Sequence, residues 1–375
     1  MPCSKKTGLY IHIPFCRSKC PYCDFYSKLE SESVISEYVS AVVSEIETRK
    51  RLSKYVNGDL LIDTIYFGGG TPSLLSCSDF SRIMHAVRKS ATVTDDCEIT
   101  VECNPSTVSK ELFDTYRQAG VNRISFGLQS AVNAERAALG RTGTKEDVEK
   151  AIELCKKSGI SNISLDVMLA VPNQTEKSLC ETLSFCNESG ATHISAYILK
   201  IEKGTLFYDI EKELNLPDEG KVCSFYELCS DKLNEYGFHQ YEISNFAKDG
   251  LYSRHNLKYW TLEDYIGIGP GAHSFFRGSR FYFPSDTKLF IDGVSPVFDC
   301  FGGDVNEYIM LFLRLTDGID LDKMSQKFGR ESVVKIKEKA KRFISANLLT
   351  MDGNKLYLTQ KGFLLSNTII SELIS

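Results

Sequence analysis

Short apolar runs alternate along the first half of the chain with longer segments in which apolar residues recur every three to four positions. The short runs predict buried strands, because they are rich in Ile, Val, Tyr and Phe. The longer segments predict amphipathic helices. The predicted strands are 9–13, 60–67, 98–102, 123–127, 162–167 and 193–198. The predicted helices between them are 35–51, 79–90, 110–119, 145–158 and 176–188, with Ser109, Thr144 and Thr175 as N-caps.

This alternation of strands and helices predicts the fold class. Successive parallel strands need a crossover connection, and a helix is the usual one. Six such units predict an α/β protein built on a partial, TIM-like (β/α)6 barrel. In barrels of this kind the loops at the carboxyl ends of the strands carry the chemistry. We therefore expect functional residues to follow the predicted strands.

The pattern changes after about residue 290. Helices are predicted at 308–315, 320–328 and 331–346, and two short strands at 348–351 and 356–358 flank a hairpin turn at Asp352-Gly353-Asn354-Lys355. This order predicts a small, winged-helix-like α+β domain at 291–375, after a barrel domain at 1–290. Acidic residues interleave with the lysines of its helices, which favours a solvated face over a nucleic-acid surface.

Composition narrows the class of protein. A chain of 375 residues can bury a barrel-sized core and a smaller domain. Its formal net charge of -5 gives no electrostatic reason to expect nucleic acid or a membrane surface as partner. The 13 cysteines indicate a reducing compartment. No apolar stretch resembles a signal region or a membrane span, so we expect a cytoplasmic protein.

Three cysteines form the most specific chemical signal. Cys16, Cys20 and Cys23 have the spacing C-x3-C-x2-C and directly follow the first predicted strand. Three thiolates can hold three irons of a 4Fe-4S cluster and leave the fourth iron open to a ligand. A structural zinc site remains an alternative, although it usually takes four ligands and no second Cys/His pair has matching spacing. A disulfide is disfavoured because the chain has no export signal.

Further polar positions follow the next strands. Gly68 to Thr71 form a turn after the second strand, and such glycines let backbone amides face a carboxylate or phosphate. One acidic or polar side chain lies near the end of each of the next three strands. These side chains are Glu102, Gln129 and Asp166, and Arg141 lies further along the connection after the fourth strand.

Together these segments resemble a known family. GLYIHIPFC, YFGGGTPSLL, VECNPSTV, GVNRISFGLQS, LGRTGT and HNLKYW occur in this order and span nearly the whole chain. They are similar to the HemN/HemW group of radical S-adenosylmethionine (SAM) proteins, which comprises oxygen-independent coproporphyrinogen III oxidases and related heme chaperones. The resemblance implies the same barrel, a 4Fe-4S cluster on the three cysteines, and bound SAM. It carries SAM contacts onto Tyr10, Gly69, Gly70, Thr71, Glu102, Gln129, Arg141 and Asp166.

The chemistry of SAM suggests individual roles. We expect Arg141 to bind the carboxylate of SAM, Glu102 or Asp166 its ribose or amine, and the glycine turn its amine. Gln129 would contact a polar edge of the bound SAM. An acid such as Asp166 in an apolar strand is improbable without a function, whereas Tyr10 on an alternating strand would also suit a core.

Three departures from the family pattern were found. The oxidase pattern has a further cysteine two residues after the third, where this chain has Phe25; this favours the chaperone branch. Cys103 replaces a common alanine, and we expect it to be a small structural residue and not a fourth cluster ligand. Leu169-Ala170-Val171-Pro172 replaces a glycine-leucine-proline turn.

The second half of the chain contains the candidate ligands of heme iron. His255 in HNLKYW could serve as an axial ligand of heme iron, with Tyr259 and Trp260 covering the porphyrin; the alternative is that His255 packs or caps a loop. His273 is a weaker candidate. The nearby Gly267, Gly269 and Gly271 do not predict a dinucleotide site, because no βαβ unit follows them.

The resemblance thus implies a heme chaperone that binds the cluster, SAM and heme, and passes heme to an acceptor protein. Its expected partners are a heme-acceptor protein and an electron donor, with no nucleic acid and with membrane contact only through an acceptor. Cleavage of SAM is compatible with this prediction but is not required by it. The alternatives are a coproporphyrinogen III oxidase, which Phe25 disfavours, and a zinc-stabilised nucleic-acid-binding module, which leaves the strand-end residues unexplained.

Overall fold

The structure of the chain is a computed structural model that describes residues 6–53 and 60–374. The predicted domain ranges 1–290 and 291–375 include residues 1–5, 54–59 and 375, which lie outside the described residues. Among the described residues, no helix is both long enough and apolar enough to cross a membrane.

Six parallel strands form the first part of the main sheet, side by side in chain order. They are β1 (Lys6–Ile13), β2 (Leu61–Gly69), β3 (Thr92–Cys103), β4 (Arg123–Gln129), β5 (Asn162–Leu169) and β6 (His193–Ile198). The helices between them are α1 (Glu32–Ser53), α2 (Cys77–Ser90), α3 (Lys110–Gln118), α4 (Asn133–Ala138), α5 (Lys145–Lys157) and α6 (Glu176–Glu188). The predicted α/β barrel is confirmed, and α4 is a helix that the sequence pattern did not indicate.

The main sheet continues beyond the six predicted strands. Between β6 and the C-terminal helices lie α7 (Leu206–Asp209), α8 (Glu219–Glu235), β7 (His239–Gln240), β8 (Asn245–Ala247), α9 (Arg254–Trp260), β9 (Tyr265–Ile268), β10 (His273–Phe276), β11 (Ser279–Tyr282), α10 (Thr287–Ile291) and β12 (Val297–Phe301). The strand order is β12-β11-β10-β9-β1-β2-β3-β4-β5-β6-β8-β7. Strand β9 is parallel to β1, whereas β10 to β12 are antiparallel. These added strands have two to five residues, too few for a periodic signal.

A small C-terminal unit follows. It contains α11 (Val305–Phe312), β13 (Ile319–Asp320), α12 (Leu321–Phe328), α13 (Arg330–Ser345), β14 (Leu349–Asp352), β15 (Lys355–Leu358), α14 (Gln360–Leu364) and α15 (Ser366–Ile374). Its antiparallel sheet has the order β13-β15-β14. The predicted helices and hairpin are thus confirmed. The boundary at residue 290 stays a prediction, and the main sheet extends past it to Phe301.

Local sequence explains where the barrel helices begin. The Ser109 side chain accepts a hydrogen bond from the Leu112 amide at the start of α3. Thr175 does the same for Ser178 at the start of α6, and Thr144 forms a capping box with Asp147 at the start of α5. Each cap satisfies amides that the first helical turn leaves without partners. The three predicted N-caps are therefore confirmed.

The C-terminal unit is joined to the barrel by backbone and side-chain contacts. The Ile243 amide donates to the Arg314 carbonyl across 2.9 Å, and the Thr316 amide donates to the Tyr241 carbonyl across 3.1 Å. The Arg314 guanidinium lies 5.8 Å from the centre of the Trp260 ring. The chain's one tryptophan, in HNLKYW, therefore packs at this junction.

Candidate cofactor site

A cavity of about 680 Å³ opens at the carboxyl ends of β1 to β6. Its size is typical of sites for small ligands and cofactors. It brings together most of the residues that the sequence analysis singled out: Cys16, Cys20, Cys23, Gly69, Gly70, Thr71, Glu102, Gln129, Arg141 and Asp166. Tyr10 and His255 are not part of its lining.

The loop after β1 presents the three predicted cluster cysteines. The amide of Cys16 donates to the Lys28 carbonyl across 3.0 Å, which closes the loop, and the Cys23 amide donates to the Cys20 carbonyl across 3.1 Å. Two side chains from other loops reach the sulfurs. The Thr71 hydroxyl lies 3.5 Å from Cys16 Sγ, and Arg141 lies 3.7 Å from Cys20 Sγ. Donors directed at sulfur stabilise thiolate ligands.

The donor set fits a multi-iron cluster. A 4Fe-4S cluster takes one thiolate per iron, so its ligands need not converge on a point. In the described part of the chain, no three His, Cys, Asp or Glu side chains converge on a single metal ion. The Cys23 thiol has a raised pKa, because it is buried and because Cys20 and Cys16 lie close to it. A cation such as a cluster iron would favour its thiolate form.

The glycine turn at the end of β2 is held tightly against the cysteine loop. Gly69 has a φ of +110°, and a Cβ there would lie 2.3 Å from the His12 ring. A Cβ on Gly70 would lie 2.7 Å from the Phe15 carbonyl oxygen. A side chain would be strained by the positive φ at Gly69 and would clash with neighbouring atoms at both positions. Only glycine therefore suits them.

The amides of this turn do not face a ligand, which corrects the expectation that they would. Gly70 and Thr71 donate to the carbonyls of Ile13 and Phe15 across 2.9 and 2.7 Å. The Gly69 amide donates to Glu102 Oε2 across 3.1 Å. The turn therefore fixes protein groups, and its carbonyl oxygens are the groups that suit an ammonium.

Two carboxylates face the cavity from β3 and β5. Glu102 accepts from the Tyr66 hydroxyl across 2.8 Å as well as from Gly69, and Asp166 accepts from the Ser125 hydroxyl across 3.2 Å. Burial, followed by the nearby charge of Asp166, raises the pKa of Glu102 to about 7. Burial also raises the pKa of Asp166. A bound cation or hydroxyl would favour the ionised forms of both.

The end of β4 positions Gln129 and Arg141. Gln129 has a φ of +68°, a sparsely populated conformation for a residue with a side chain. The Arg141 guanidinium donates to the Gly127 carbonyl across 3.0 Å. A Cβ on Gly127 would lie 3.1 Å from both the Arg141 and the Gln129 side-chain nitrogens. Gly127 therefore leaves room for both side chains to lie over the strand.

Tyr10 and His255 lie within the barrel and not on the cavity wall. The Tyr10 hydroxyl is 3.0 Å from His12 Nδ1. His255 is 0% exposed, and its Nδ1 and Nε2 lie 2.8 Å from the Thr64 hydroxyl and 2.9 Å from the Tyr259 hydroxyl. Burial lowers the pKa of His255 to about 3. Both ring nitrogens thus have partners, in a helix and not in a loop.

The roles of Tyr10 as a SAM contact and His255 as a heme ligand stay predictions. For His255, binding heme iron would require one of the two hydrogen bonds to break. His273 is exposed and stacks on Tyr282, with ring centres 5.3 Å apart. It lies on β10, outside the cavity lining.

Several cavity residues were missed from the sequence. They include Tyr66, Arg123, Ser125 and Ser195. A signal for two of them was present, because polar Arg123, Ser125 and Gln129 alternate with apolar Ile124, Phe126 and Leu128 along β4. Such alternation places every second residue on the same face of a strand.

Comparison with known proteins agrees with this geometry. The pattern of the Radical SAM superfamily matches residues 10–186, and that of the HemN C-terminal domain matches residues 304–365. A solved structure of coproporphyrinogen III oxidase (HemN) from Escherichia coli has the same fold, with a TM-score of 0.85 and 19% identity. That match covers 99% of this chain and 91% of the oxidase.

Sequence relatives define the family more narrowly. The heme chaperone HemW of Bacillus subtilis is 35% identical, over 96% of this chain and 97% of its own. The HemW of Lactococcus lactis is 32% identical over 99% and 98%, and that of Escherichia coli is 39% identical over 71% and 69%. The barrel and the matched pattern make the chain a radical SAM protein, a class that implies a 4Fe-4S cluster and SAM. Within that class, the chain belongs to the family of proteins named heme chaperone HemW.

Proposed function

We propose that this protein is a heme chaperone that binds a 4Fe-4S cluster, SAM and heme, and passes heme to an acceptor protein. The observation that carries the choice of branch is Phe25, which lines the cavity and is 64% exposed. It occupies the place where the oxidase pattern has a cysteine. An exposed aromatic ring at the opening suits contact with a flat apolar ligand.

The cofactor residues have distinct proposed roles. Cys16, Cys20 and Cys23 would hold the cluster, which supplies an open iron and an electron source when it is bound. Arg141 would bind the SAM carboxylate, and Glu102 and Asp166 would bind its amine and ribose. Thr71 and Gly69 shape the turn between these groups. Gln129 and Tyr10 complete the proposed set of SAM contacts.

The cell context follows from the same chemistry. A cluster with accessible thiolates needs a reducing compartment, so we place the protein in the cytoplasm. Its proposed partners are a heme-acceptor protein and an electron donor for the cluster. Membrane contact would occur through the acceptor.

One alternative has a specific observation in its favour. The close match in fold to coproporphyrinogen III oxidase would suit radical decarboxylation of propionate groups in heme biosynthesis. The identity to that oxidase is 19%, whereas the family named heme chaperone is 31–39% identical. We therefore keep the oxidase as the second candidate.

Heme binding is tested by titration of the anaerobically reconstituted protein. We expect saturation at one heme per chain, followed by the Soret absorbance, with and without SAM. The same titration on protein without iron and sulfide shows whether the cluster is needed. If none of these samples binds heme more tightly than an unrelated protein that adsorbs heme nonspecifically, the chaperone proposal is refuted.

A further inference from the structure

Arg123 at the floor of the cavity has an unusual environment. It is the first residue of β4 and faces inward below Ser125 and Gly127. It lines the cavity, although the residue is only 1% exposed. Its Nε has no hydrogen-bond partner. Across the described residues the guanidinium forms no hydrogen bond and no ion pair.

Other buried cations of the barrel are satisfied. The Arg136 guanidinium donates to the Gly143 carbonyl across 2.9 Å and to the carbonyl of Leu128. Lys258 donates to Glu263 across 3.0 Å. A buried charge without partners is costly, so one that persists calls for a group that completes it. Within the described part of the chain, Arg123 is the buried lysine or arginine that lacks such a group.

The neighbours of Arg123 do not supply its missing partner. On the adjacent strand its register partner is Thr100, whose hydroxyl is also buried without a hydrogen-bond partner. Glu102 and Asp166 lie close enough for the charge of Arg123 to lower the pKa of both, but the hydrogen bonds that they accept come from Tyr66, Gly69 and Ser125. Arg123 is therefore an unsatisfied donor within the cavity lining, whereas Thr100 lies outside that lining.

We propose that Arg123 forms a carboxylate subsite that takes a propionate group of the bound tetrapyrrole. A planar guanidinium binds a carboxylate through two parallel hydrogen bonds. Arg141, beside Cys20, is the cation assigned to the carboxylate of SAM, which leaves Arg123 for a second carboxylate. Heme and coproporphyrinogen both carry propionates. The inference rests on tetrapyrrole binding, which both candidate functions share.

The test compares heme with its dimethyl ester, in which both propionates lack charge. Each is titrated into reconstituted wild type, Arg123→Met and Arg123→Lys, with and without SAM. We expect esterification to weaken binding to wild type roughly tenfold or more, the scale of one charge-assisted hydrogen-bonded pair. Arg123→Met should bind both ligands as weakly as wild type binds the ester. Arg123→Lys should restore part of the preference for free heme.

The comparison variant is Lys200→Gln, which removes an exposed cation that also lines the cavity. A preference for free heme that survives in Arg123→Met but is lost in Lys200→Gln would place the propionate elsewhere and overturn the proposal. So would an equal affinity of wild type for heme and ester. Absence of binding to either ligand would refute tetrapyrrole binding itself. Thermal unfolding and iron content show whether Arg123→Met folds; if it does not, Arg123→Lys decides by the same comparison.

Discussion

The Arg141 guanidinium reaches the sulfur of Cys20 across 3.7 Å, although the two residues are 121 positions apart. The same guanidinium donates to the carbonyl of Gly127 at the end of β4. One side chain thus connects the cysteine loop to the cavity wall. In the proposed function, this places a fixed positive charge where the cluster meets the SAM carboxylate.

Replacing Arg141 should separate SAM binding from cluster assembly. For Arg141→Met we expect SAM affinity to fall about 10- to 100-fold, because a charge-assisted pair is lost. Iron and sulfide content should stay close to that of wild type, since the three thiols remain. SAM titration of the reconstituted variant measures the first quantity and chemical iron analysis the second. Arg88→Met, a change at an exposed arginine bonded to the Ala119 carbonyl, is the control. Unchanged SAM affinity in Arg141→Met would show that another residue binds the SAM carboxylate.

The cysteine assignments can be tested with a matched pair of variants. Cys20→Ala should abolish assembly of the 4Fe-4S cluster, because one iron loses its ligand. Cys103→Ala should keep full iron content, although Cys103 lines the same cavity. The Cys103 side chain is buried and its sulfur lies 3.9 Å from the Val101 carbonyl oxygen, as expected of a structural residue. Iron and sulfide analysis decides. Full cluster content in Cys20→Ala, or its loss in Cys103→Ala, would contradict the assignment.

The raised pKa of Glu102 predicts a specific dependence of the free energy of unfolding on pH. Its pKa in the folded protein is raised to about 7 by burial, above the ordinary value of 4.5. Between pH 4.5 and pH 7, Glu102 therefore keeps its proton in the folded state but has lost it in the unfolded state. Glu102 thus lowers the free energy of unfolding as the pH rises through this range. Glu102→Gln lacks this titration. We expect its free energy of unfolding, relative to wild type, to rise by about 2–3 kcal/mol between pH 4.5 and pH 8.

Denaturant unfolding of both proteins without cofactors, at several pH values, measures this difference. The variant should also bind SAM more weakly at pH 8, where Glu102 of wild type is ionised. A stability difference that does not change with pH would show that Glu102 titrates at its ordinary value. Asp79→Asn, in the first turn of α2, serves as the control for a carboxylate outside the cavity.

His255 combines a structural role with a predicted heme role. We expect His255→Ala to lower the free energy of unfolding by about 2–4 kcal/mol, because Thr64 and Tyr259 lose a buried partner. It should also weaken heme binding. Tyr259→Phe removes one hydrogen bond to the ring but keeps the imidazole, so it controls for the loss of that hydrogen bond. If His255→Ala and Tyr259→Phe bind heme with the same affinity in a Soret titration, the axial ligand is a residue other than His255.

The sequence predicted the barrel and most of its cavity because both depend on local patterns. Strands β1 to β6 are long enough for buried runs to stand out, and chain order fixes which parallel strands are neighbours. The three cysteines follow β1, and Glu102 and Asp166 lie near the carboxyl ends of β3 and β5. Because the carboxyl ends of parallel strands meet at one edge, their proximity followed from the fold.

Other features depend on contacts that no local pattern records. The ring of His255 meets Thr64, which is 191 positions away, so its burial could not be read from HNLKYW. The glycine amides were assigned to a ligand because their partners, Ile13, Phe15 and Glu102, come from other segments. The Ala170 φ of +62° fits the glycine expected at that turn, but only the structure shows it. Arg123 is the first residue of β4, and only the fold shows that its Nε lacks a hydrogen-bond partner.

The fate of the tetrapyrrole tests the central claim most directly. Reconstituted protein is incubated anaerobically with a reductant and SAM, in one sample with heme and in another with coproporphyrinogen III, and the products are analysed by mass spectrometry. The account predicts one tightly bound heme per chain, recovered unaltered, and no loss of carboxyl groups from coproporphyrinogen III. SAM-dependent decarboxylation of coproporphyrinogen III would contradict it and make the protein an oxidase despite Phe25.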